Sequence, residues 1–386
     1  MKVAIVGAGT MGSGIAQIAA SAGHGVVVYD KSPAALDRSR RQLEKRMGNF
    51  QKKGKLTNTE AQIIQTKISY TSQLAELSEA ELLIESIIEE LGAKQLLFRE
   101  LEDIVTQQCI LGTNTSSLSV TAIAAACRQN PERVVGIHFF VPADQVKLVE
   151  IIPALQTRTP ITQQAQQIIR QWGKTTVLVK DRPGFLVNRI ARPYYLEALR
   201  ILEEGIANVA TIDWAMTHLG GFKMGPFALM DYIGNDVNYI FTKRLFKSTF
   251  YDNRYQPSVV QKRLVEAGYL GRKTGRGFYN YFDHSTNPAP YSDETLGKQI
   301  LIRILVLLIN EAADALFHKF ASREDIDLAM STGIDFPYGL LSWADDLGIG
   351  FVVRQLDELY ELYHEDRYRC SPLLRQMQKK AERFYT

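Results

Sequence analysis

The sequence predicts an α/β domain on a doubly wound sheet of the Rossmann type, followed by two tandem all-α domains, and three observations carry that expectation. A glycine-rich turn, Gly7-Ala-Gly9-Thr10-Met11-Gly12, stands between a β-branched run and a helical one. Short β-branched runs then alternate with helical stretches as far as Phe139. Beyond Arg182 the pattern is almost wholly helical, and it repeats itself.

Taken in order, Val3 to Val6, Val26 to Tyr29, Leu82 to Ile84, Ile110 to Leu111 and Val134 to Phe139 read as strands, with KLVEII a further short one. Met11 to Ala22 and Ala93 to Thr106 read as helices between them, the rhythm of a parallel sheet with crossover helices. The stretch 34–67 is rich in charge, and its helical periodicity breaks at KKGKLTNTE, which predicts a helical hairpin projecting from the sheet. The first domain is therefore expected over 1–182, and a helical domain over 183–283 opens at PGFLVNRIARPYYLEALRILEEG, where Pro193 kinks or breaks the first helix. EALRILEEGIANVATIDWAM, from Glu197, is echoed by EAADALFHKFASREDIDLAM, from Glu311, at a constant shift: 311 − 197 = 114 and 326 − 212 = 114. The match extends to Gly225 with Gly339, Asp231 with Asp345 and Gly234 with Gly348. A second copy over 296–386 follows a Pro-, Ser- and Thr-rich linker, 284–295. At the same shift Asn188 falls on Ile302, so this copy keeps the packing residues, loses a polar one and reads as a degenerate scaffold.

Composition bounds the function. With 386 residues, 46% hydrophobic and 23% charged, the chain has apolar material for two or three domains and no signature of disorder. A net charge of +3 argues against a nucleic-acid surface and suits an anionic small ligand. The longest apolar stretch, ILIRILVLLI, is broken by Arg303 and falls short of the roughly 20 residues of a membrane span, so no membrane partner is expected. The chain enters a strand at once (KVAIV), with no basic and apolar leader before it, and a cytoplasmic location is the expectation. Cys109, Cys127 and Cys370 are too few and too scattered for a disulfide framework or a metal knuckle; they are expected as reduced thiols, two of them in the core, and no metal is expected.

In the glycine turn, Gly7 permits the tight bend, Gly9 lets the backbone approach a pyrophosphate and Gly12 allows close packing of helix on strand. The helix N-terminus at Thr10 and Met11 then offers N–H groups to phosphates. Asp30 closes the second strand at the spacing of a dinucleotide fingerprint. A carboxylate there accepts from ribose hydroxyls and repels a 2′-phosphate, so NAD is the expected cofactor; Lys31 beside it leaves NADP as the alternative. His138 ends an apolar strand, where a lone histidine is usually a core residue. Glu150 on KLVEII can reach the imidazole, fix its tautomer and raise its basicity. Asn114-Thr115-Ser116-Ser117 follows the strand CILGT at the carboxyl edge of the sheet, either as a ligand-binding turn or as a cap for the next helix. Asn188, in the first helix of the next domain, can close over the site or serve structure. Groups that move a proton beside a cofactor that takes a hydride indicate a dehydrogenase.

The motifs GAGTMGSGIAQ, IHFF-P, KLVEII, PGFLVNR, IDWAM, MGPFALMDYIG and GRKTGRGFY, in this order and spacing from residue 1 to about 282, resemble the (S)-3-hydroxyacyl-CoA dehydrogenases of the 3-hydroxybutyryl-CoA dehydrogenase type. The resemblance implies NAD-dependent interconversion of a 3-hydroxyacyl-CoA and a 3-oxoacyl-CoA. It implies His138 as the base paired with Glu150, Ser116 (directly after the Asn-Thr pair) as the hydroxyl on the substrate oxygen, and Asn188 as a second polar contact. It further implies that Asp30, Glu89, Lys94 and Asn114 contact NAD and that Lys53 meets the phosphates of CoA. The family's HFFNP is HFFVP here, so a polar contact is missing at Val141. NEAADAL, EDIDLAM, LSWADDLG and DRYRCSPLLR, together with ARPYYLEA, resemble the longer 3-hydroxyadipyl-CoA dehydrogenases of aromatic catabolism, which carry additional sequence between the copies; that is the alternative substrate. Arg192, four residues after Asn188, is the candidate reader of a distal carboxylate, set against an arginine that anchors the domain interface through a salt bridge. Members of the family pair through their helical domains, which implies an internal pseudo-dimer here and leaves a further homodimer open. A 3-hydroxyisobutyrate or 6-phosphogluconate type of dehydrogenase would call for a catalytic lysine, and a non-catalytic NAD-binding structural protein for lost catalytic positions.

Overall fold

Eight strands form one sheet in the first of two units, Met1–Phe185, of a computed structural model that describes residues 1–385. In chain order the elements are β1 Lys2–Val6, α1 Thr10–Ser21, β2 Gly25–Tyr29, α2 Pro33–Lys52, α3 Asn58–Thr66, β3 Ile68–Thr71, β4 Leu82–Glu85, α4 Leu91–Ile104, β5 Ile110–Thr113, α5 Val120–Ala124, β6 Val134–Phe139, β7 Leu148–Pro153, α6 Thr159–Gln171 and β8 Thr175–Leu178. The sheet order is β3-β2-β1-β4-β5-β6-β7-β8. Order therefore reverses between β1 and β4, the point where a doubly wound sheet opens a crevice at its carboxyl edge. The central strands are buried on both faces, which is why they read as unbroken apolar runs.

Two strands left no clear sequence signal: β3 and β8, four residues each and half polar (ISYT, TTVL). The helical hairpin is α2 and α3. Ser32 accepts from the Ala35 N–H ahead of Pro33, and a reciprocal capping box joins Thr57 and Glu60. One pairing departs from the parallel pattern. β7 returns beside β6 antiparallel, with no crossover helix in the intervening loop, and His138 stands directly opposite Glu150. The cap of α5 is Ser119, whose side chain accepts from Ala122 N–H, and none of residues 114–117; the capping alternative for that turn is thereby removed.

The second unit begins at Leu186 and is helical: α7 Val187–Ile190, α8 Arg192–Glu203, α9 Val209–Trp214, α10 Pro226–Ile233, α11 Asn235–Ser248, α12 Val259–Glu266, α13 Glu294–Phe317, α14 Arg323–Gly333, α15 Leu340–Leu347, α16 Ile349–Tyr363 and α17 Pro372–Lys380. Pro193 sits in the first turn of α8, where its missing N–H costs nothing, and the helix before it stops at Ile190. The repeat recurs as repeated chemistry. Asp213 accepts from the Phe227 and Ala228 N–H groups at the start of α10, and Asp327 does the same for Leu341 and Ser342 at the start of α15. A Cβ on Gly225 or Gly339 would strike those aspartates at 2.3 Å, so both copies need glycine there. Asp231 holds the N–H groups of Phe278 and Tyr279, and Asp345 those of Phe384 and Tyr385.

Between the copies, α13 lies against α8. Glu197 accepts from Arg303 Nε at 2.7 Å and from the Tyr368 hydroxyl at 2.8 Å. Its counterpart Glu311 accepts from the Tyr255 hydroxyl at 2.6 Å and faces Arg189 Nε at 4.0 Å. Arg189 and Arg303, like Glu197 and Glu311, are equivalent under the repeat, so the contact is reciprocal. All three cysteines are buried, one more than the sequence suggested, and burial pushes each thiol up to about 12. Among the described residues, no helix is long and apolar enough to cross a membrane.

Candidate active site

At the end of β1 the backbone of Gly7 takes a φ of +107°, and a Cβ there would meet the Ser86 carbonyl oxygen at 2.5 Å. A Cβ on Gly12 would meet the Gly7 oxygen at 1.8 Å, whereas one on Gly9 would find nothing within 4 Å. Gly7 and Gly12 are thus required by the chain itself. Gly9 faces open space, which leaves its backbone approachable. No side chain caps α1 and no acid stands in its first turn, so its leading N–H groups suit an anion. Asp30 is fixed at the end of β2: one oxygen accepts from Ala8 N–H and the other from Ser32 N–H, both at 2.9 Å. The turn, the uncapped helix and the anchored carboxylate fit a dinucleotide.

His138 and Glu150 are both buried, and His138 Nδ1 lies 2.7 Å from Glu150 Oε2. Because the strands are antiparallel and in register, the two side chains share one face of the sheet. Phe140 and Phe185 flank the imidazole at 4.5 and 5.6 Å between ring centroids. With Nδ1 engaged by a carboxylate, Nε2 is the nitrogen left to exchange a proton with a ligand.

The turn after β5 is organised by Glu89. Its Oε1 accepts from the Thr115 hydroxyl at 2.7 Å, from Ser116 and Ser117 N–H at 3.0 Å each, and from the Ser117 hydroxyl at 2.9 Å. The Ser116 hydroxyl is further off, at 3.4 Å, and is the less committed of the two serines. Burial works to raise the Glu89 pKa, but the charge of Lys94 and these hydrogen bonds outweigh it and hold the carboxyl below its ordinary value. Asn114 ties two strands together: its Oδ1 accepts from Phe139 N–H at 2.8 Å, and its Nδ2 donates to Ser86 Oγ at 3.3 Å. Lys94, expected to contact the cofactor, is only 1% exposed, and its ammonium is ion-paired with Glu85 and with Glu89. Sequence reading missed Glu85. A glutamate closing the apolar strand LLIE was the available signal, but nothing local tells that a lysine nine residues on will meet it.

Of the remaining candidates, Thr10 is exposed at the start of α1 with Met11 half-buried behind it, Lys53 is the exposed C-cap of α2, and Val141 is 68% exposed. In the helical unit, Asn188 is half-buried on α7 and its carbonyl accepts from Arg192 Nε at 2.9 Å. Arg192 is buried, donates to Thr242 Oγ1 at 3.2 Å and lies between the rings of Tyr195 and Phe241 at 4.7 and 4.9 Å. Among the described residues of that unit no carboxylate pairs with it. Burial pushes its pKa down.

Comparison with known proteins gives a consistent set of matches. The chain matches the family model of the 3-hydroxyacyl-CoA dehydrogenase NAD binding domain over residues 2–182, and that of the C-terminal domain over residues 184–281 and 300–383. It is 36% identical to 3-hydroxyadipyl-CoA dehydrogenase of Escherichia coli (strain K12), over 97% of this chain and 96% of the relative. A probable 3-hydroxybutyryl-CoA dehydrogenase of Bacillus subtilis is 40% identical over 72% of this chain and 97% of its own length. The crystal structure of 3-hydroxybutyryl-CoA dehydrogenase from Escherichia coli K12 superposes with a TM-score of 0.94 at 34% identity, covering 98% of both chains.

Proposed function

Because the chain belongs to the 3-hydroxyacyl-CoA dehydrogenase family, we propose that His138 and Glu150 form the acid-base pair of an NAD-dependent dehydrogenase acting on short 3-hydroxyacyl-CoA substrates. The observation that carries the reading is the buried 2.7 Å contact between His138 Nδ1 and Glu150 at the carboxyl edge of the sheet. When bound, NAD supplies the hydride acceptor. The protein's part is the proton: His138 Nε2 removes it from the C3 hydroxyl as the carbonyl forms, and Glu150 on Nδ1–H stabilises the imidazolium. Base catalysis of this kind contributes about 10² to 10⁴ in rate. Ser116, Thr10, Met11, Glu89, Asn114, Asn188 and Lys53 carry their family roles as part of the proposal. Ser116 is favoured over Ser117 because the Ser117 hydroxyl is already taken by Glu89. Lys94, ion-paired with Glu85 and Glu89, is likewise proposed to contact NAD, as the family resemblance implies.

The anchored Asp30 supports a preference for NAD. Asp30→Ser is expected to raise the KM for NAD about tenfold and to relax discrimination against NADP, since one carboxylate both binds the ribose and repels a phosphate. Steady-state kinetics with both cofactors decides it. A wild-type chain that already prefers NADPH would refute this assignment.

A second reading, a substrate ending in a carboxylate as in 3-hydroxyadipyl-CoA, is favoured by one observation. Arg192 is a buried cation with no carboxylate partner in its unit. A buried charge left unpaired is costly unless a ligand completes it. On this reading 3-hydroxyadipyl-CoA exceeds 3-hydroxybutyryl-CoA in kcat/KM, and Arg192→Met reverses the preference by about 2 kcal/mol. Equal losses for both substrates would identify a structural arginine.

The reciprocal pairs Arg303 with Glu197 and Arg189 with Glu311 support the view that the second copy supplies, within one chain, the surface through which the family pairs two subunits. The proposed location is cytoplasmic.

A further inference from the structure

We infer that the second helical copy takes part in positioning Asn188: Phe320 and Glu311 hold Arg189, and Arg189 fixes the single helical turn that carries Asn188. The inference rests on the dehydrogenase reading above, in which Asn188 meets the substrate.

α7 has only four residues, Val187–Ile190, and one turn of helix does not sustain itself in isolation. Phe185, with a φ of +48°, precedes it, and Pro193 in the first turn of α8 has no N–H to bind back onto it. Val187 and Ile190 are fully buried, but apolar packing is non-directional. Arg189, directly after Asn188, reaches into the second copy. Its guanidinium stands over the rings of Tyr255 and Phe320, 5.1 and 5.0 Å from their centroids, and its Nε faces Glu311 Oε2 at 4.0 Å. Phe320 and Glu311 belong to the second copy, and both are buried. Glu311 is itself anchored: it accepts from the Tyr255 hydroxyl at 2.6 Å and from Arg254 Nη1 at 3.1 Å. A flat guanidinium stacked on two rings loses its freedom to swing. Asn188 and Arg189 share one helical turn and move together. With side chains ending about 5–6 Å from a helix axis, a rotation of α7 by roughly 10° displaces the Asn188 amide by about 1 Å. A misplacement of that size can cost about 10²-fold in rate.

The repeat makes this grip particular to one side. Under the shift of 114 residues Arg189 corresponds to Arg303, Phe320 to Ile206 (320 − 114 = 206) and His318 to Glu204 (318 − 114 = 204). What Arg303 takes from the opposite copy is ionic: Glu197 and Glu204, each at 2.7 Å. The rings over Arg303, Tyr363 and Tyr368, come from its own copy. The residue before it is Ile302, which has no polar group to place. Arg189 follows a polar residue, and it is stacked on a ring that the second copy supplies and the first copy lacks at the equivalent position. Packing between two equivalent halves does not by itself call for that difference.

The test is a double-mutant cycle of Asn188→Ala and Phe320→Leu in the full-length chain. Steady-state kcat and KM with 3-hydroxybutyryl-CoA and calorimetric titration with NAD are measured on each variant. Phe320→Leu keeps apolar bulk and removes the ring. Expected are a kcat about tenfold lower, and a KM and an NAD Kd within about twofold of wild type. Asn188→Ala is expected to lose about a hundredfold in kcat. Adding Phe320→Leu to it is expected to change kcat by less than about twofold, because the ring then has nothing left to position. Phe320→Tyr, which keeps a ring, is expected to stay within about threefold of wild type. Arg189→Lys reads the same step from the other partner: it keeps the charge without the plane and is expected to match Phe320→Leu in kcat, so the result does not hang on the folding of one variant. Losses that multiply in the double variant would make the second copy a scaffold and overturn the inference while the dehydrogenase reading stands. So would a kcat for Phe320→Leu within about twofold of wild type. Full activity in Asn188→Ala would strike Asn188 from the site and the inference with it, a failure of the reading that the single variant shows by itself.

Discussion

His138→Ala is expected to lower kcat at least a hundredfold, about 2.7 kcal/mol in the barrier, while NAD binding stays within about twofold. The two effects separate because different residues produce them. In the proposed mechanism the imidazole acts on the substrate proton, whereas the dinucleotide would be held by the turn from Gly7 to Gly12 and by Asp30, on other strands of the sheet. Single-turnover kinetics with titration of NAD measures both. Retention of more than about a tenth of wild-type kcat would show that another group takes the proton.

Ending the chain at Tyr291 is expected to give a protein that aggregates or becomes a dimer, as measured by light scattering on a sizing column. The helix lost, α13, is buried along most of its length, including Ile300, Ile304, Leu305 and Leu308, and it packs on α8. Its removal bares the apolar side of α8 and strips Glu197 of Arg303 and Tyr368. Breaking a buried pair by removing one partner costs about 3–5 kcal/mol, and the exposed face seeks a new cover. A truncated chain that stays monomeric, soluble and as stable as the parent would refute the pseudo-dimer.

Much of the candidate site was legible before any coordinates. Gly7 and Gly12 announce a turn because each has a local steric reason to be glycine, Gly9 leaves the backbone between them open, and Asp30 follows at a fixed spacing set by one strand and one helix. What the local sequence does not show are the partners that reach a residue from elsewhere in the fold. Lys94 sits in an ordinary amphipathic helix, LGAKQLLFRELEDI, where a lysine is usually solvated; only the arrival of Glu85 and Glu89 from elsewhere buries it. Arg192 likewise takes its surroundings from distant residues, the Thr242 hydroxyl and the Phe241 ring of another helix.

By itself, the sequence determined the alternation of strands and helices, the glycine turn and the duplication, because these are written in local periodicity and in a repeat of 114 residues visible along the chain. The tertiary structure alone decided how His138 meets Glu150. The two residues lie on separate strands, and which side chains face one another depends on strand direction and register; a slip of one residue would turn either to the opposite face. The antiparallel return of β7 sets that register, and it brings the carboxylate and the imidazole to 2.7 Å from one another in the buried interior.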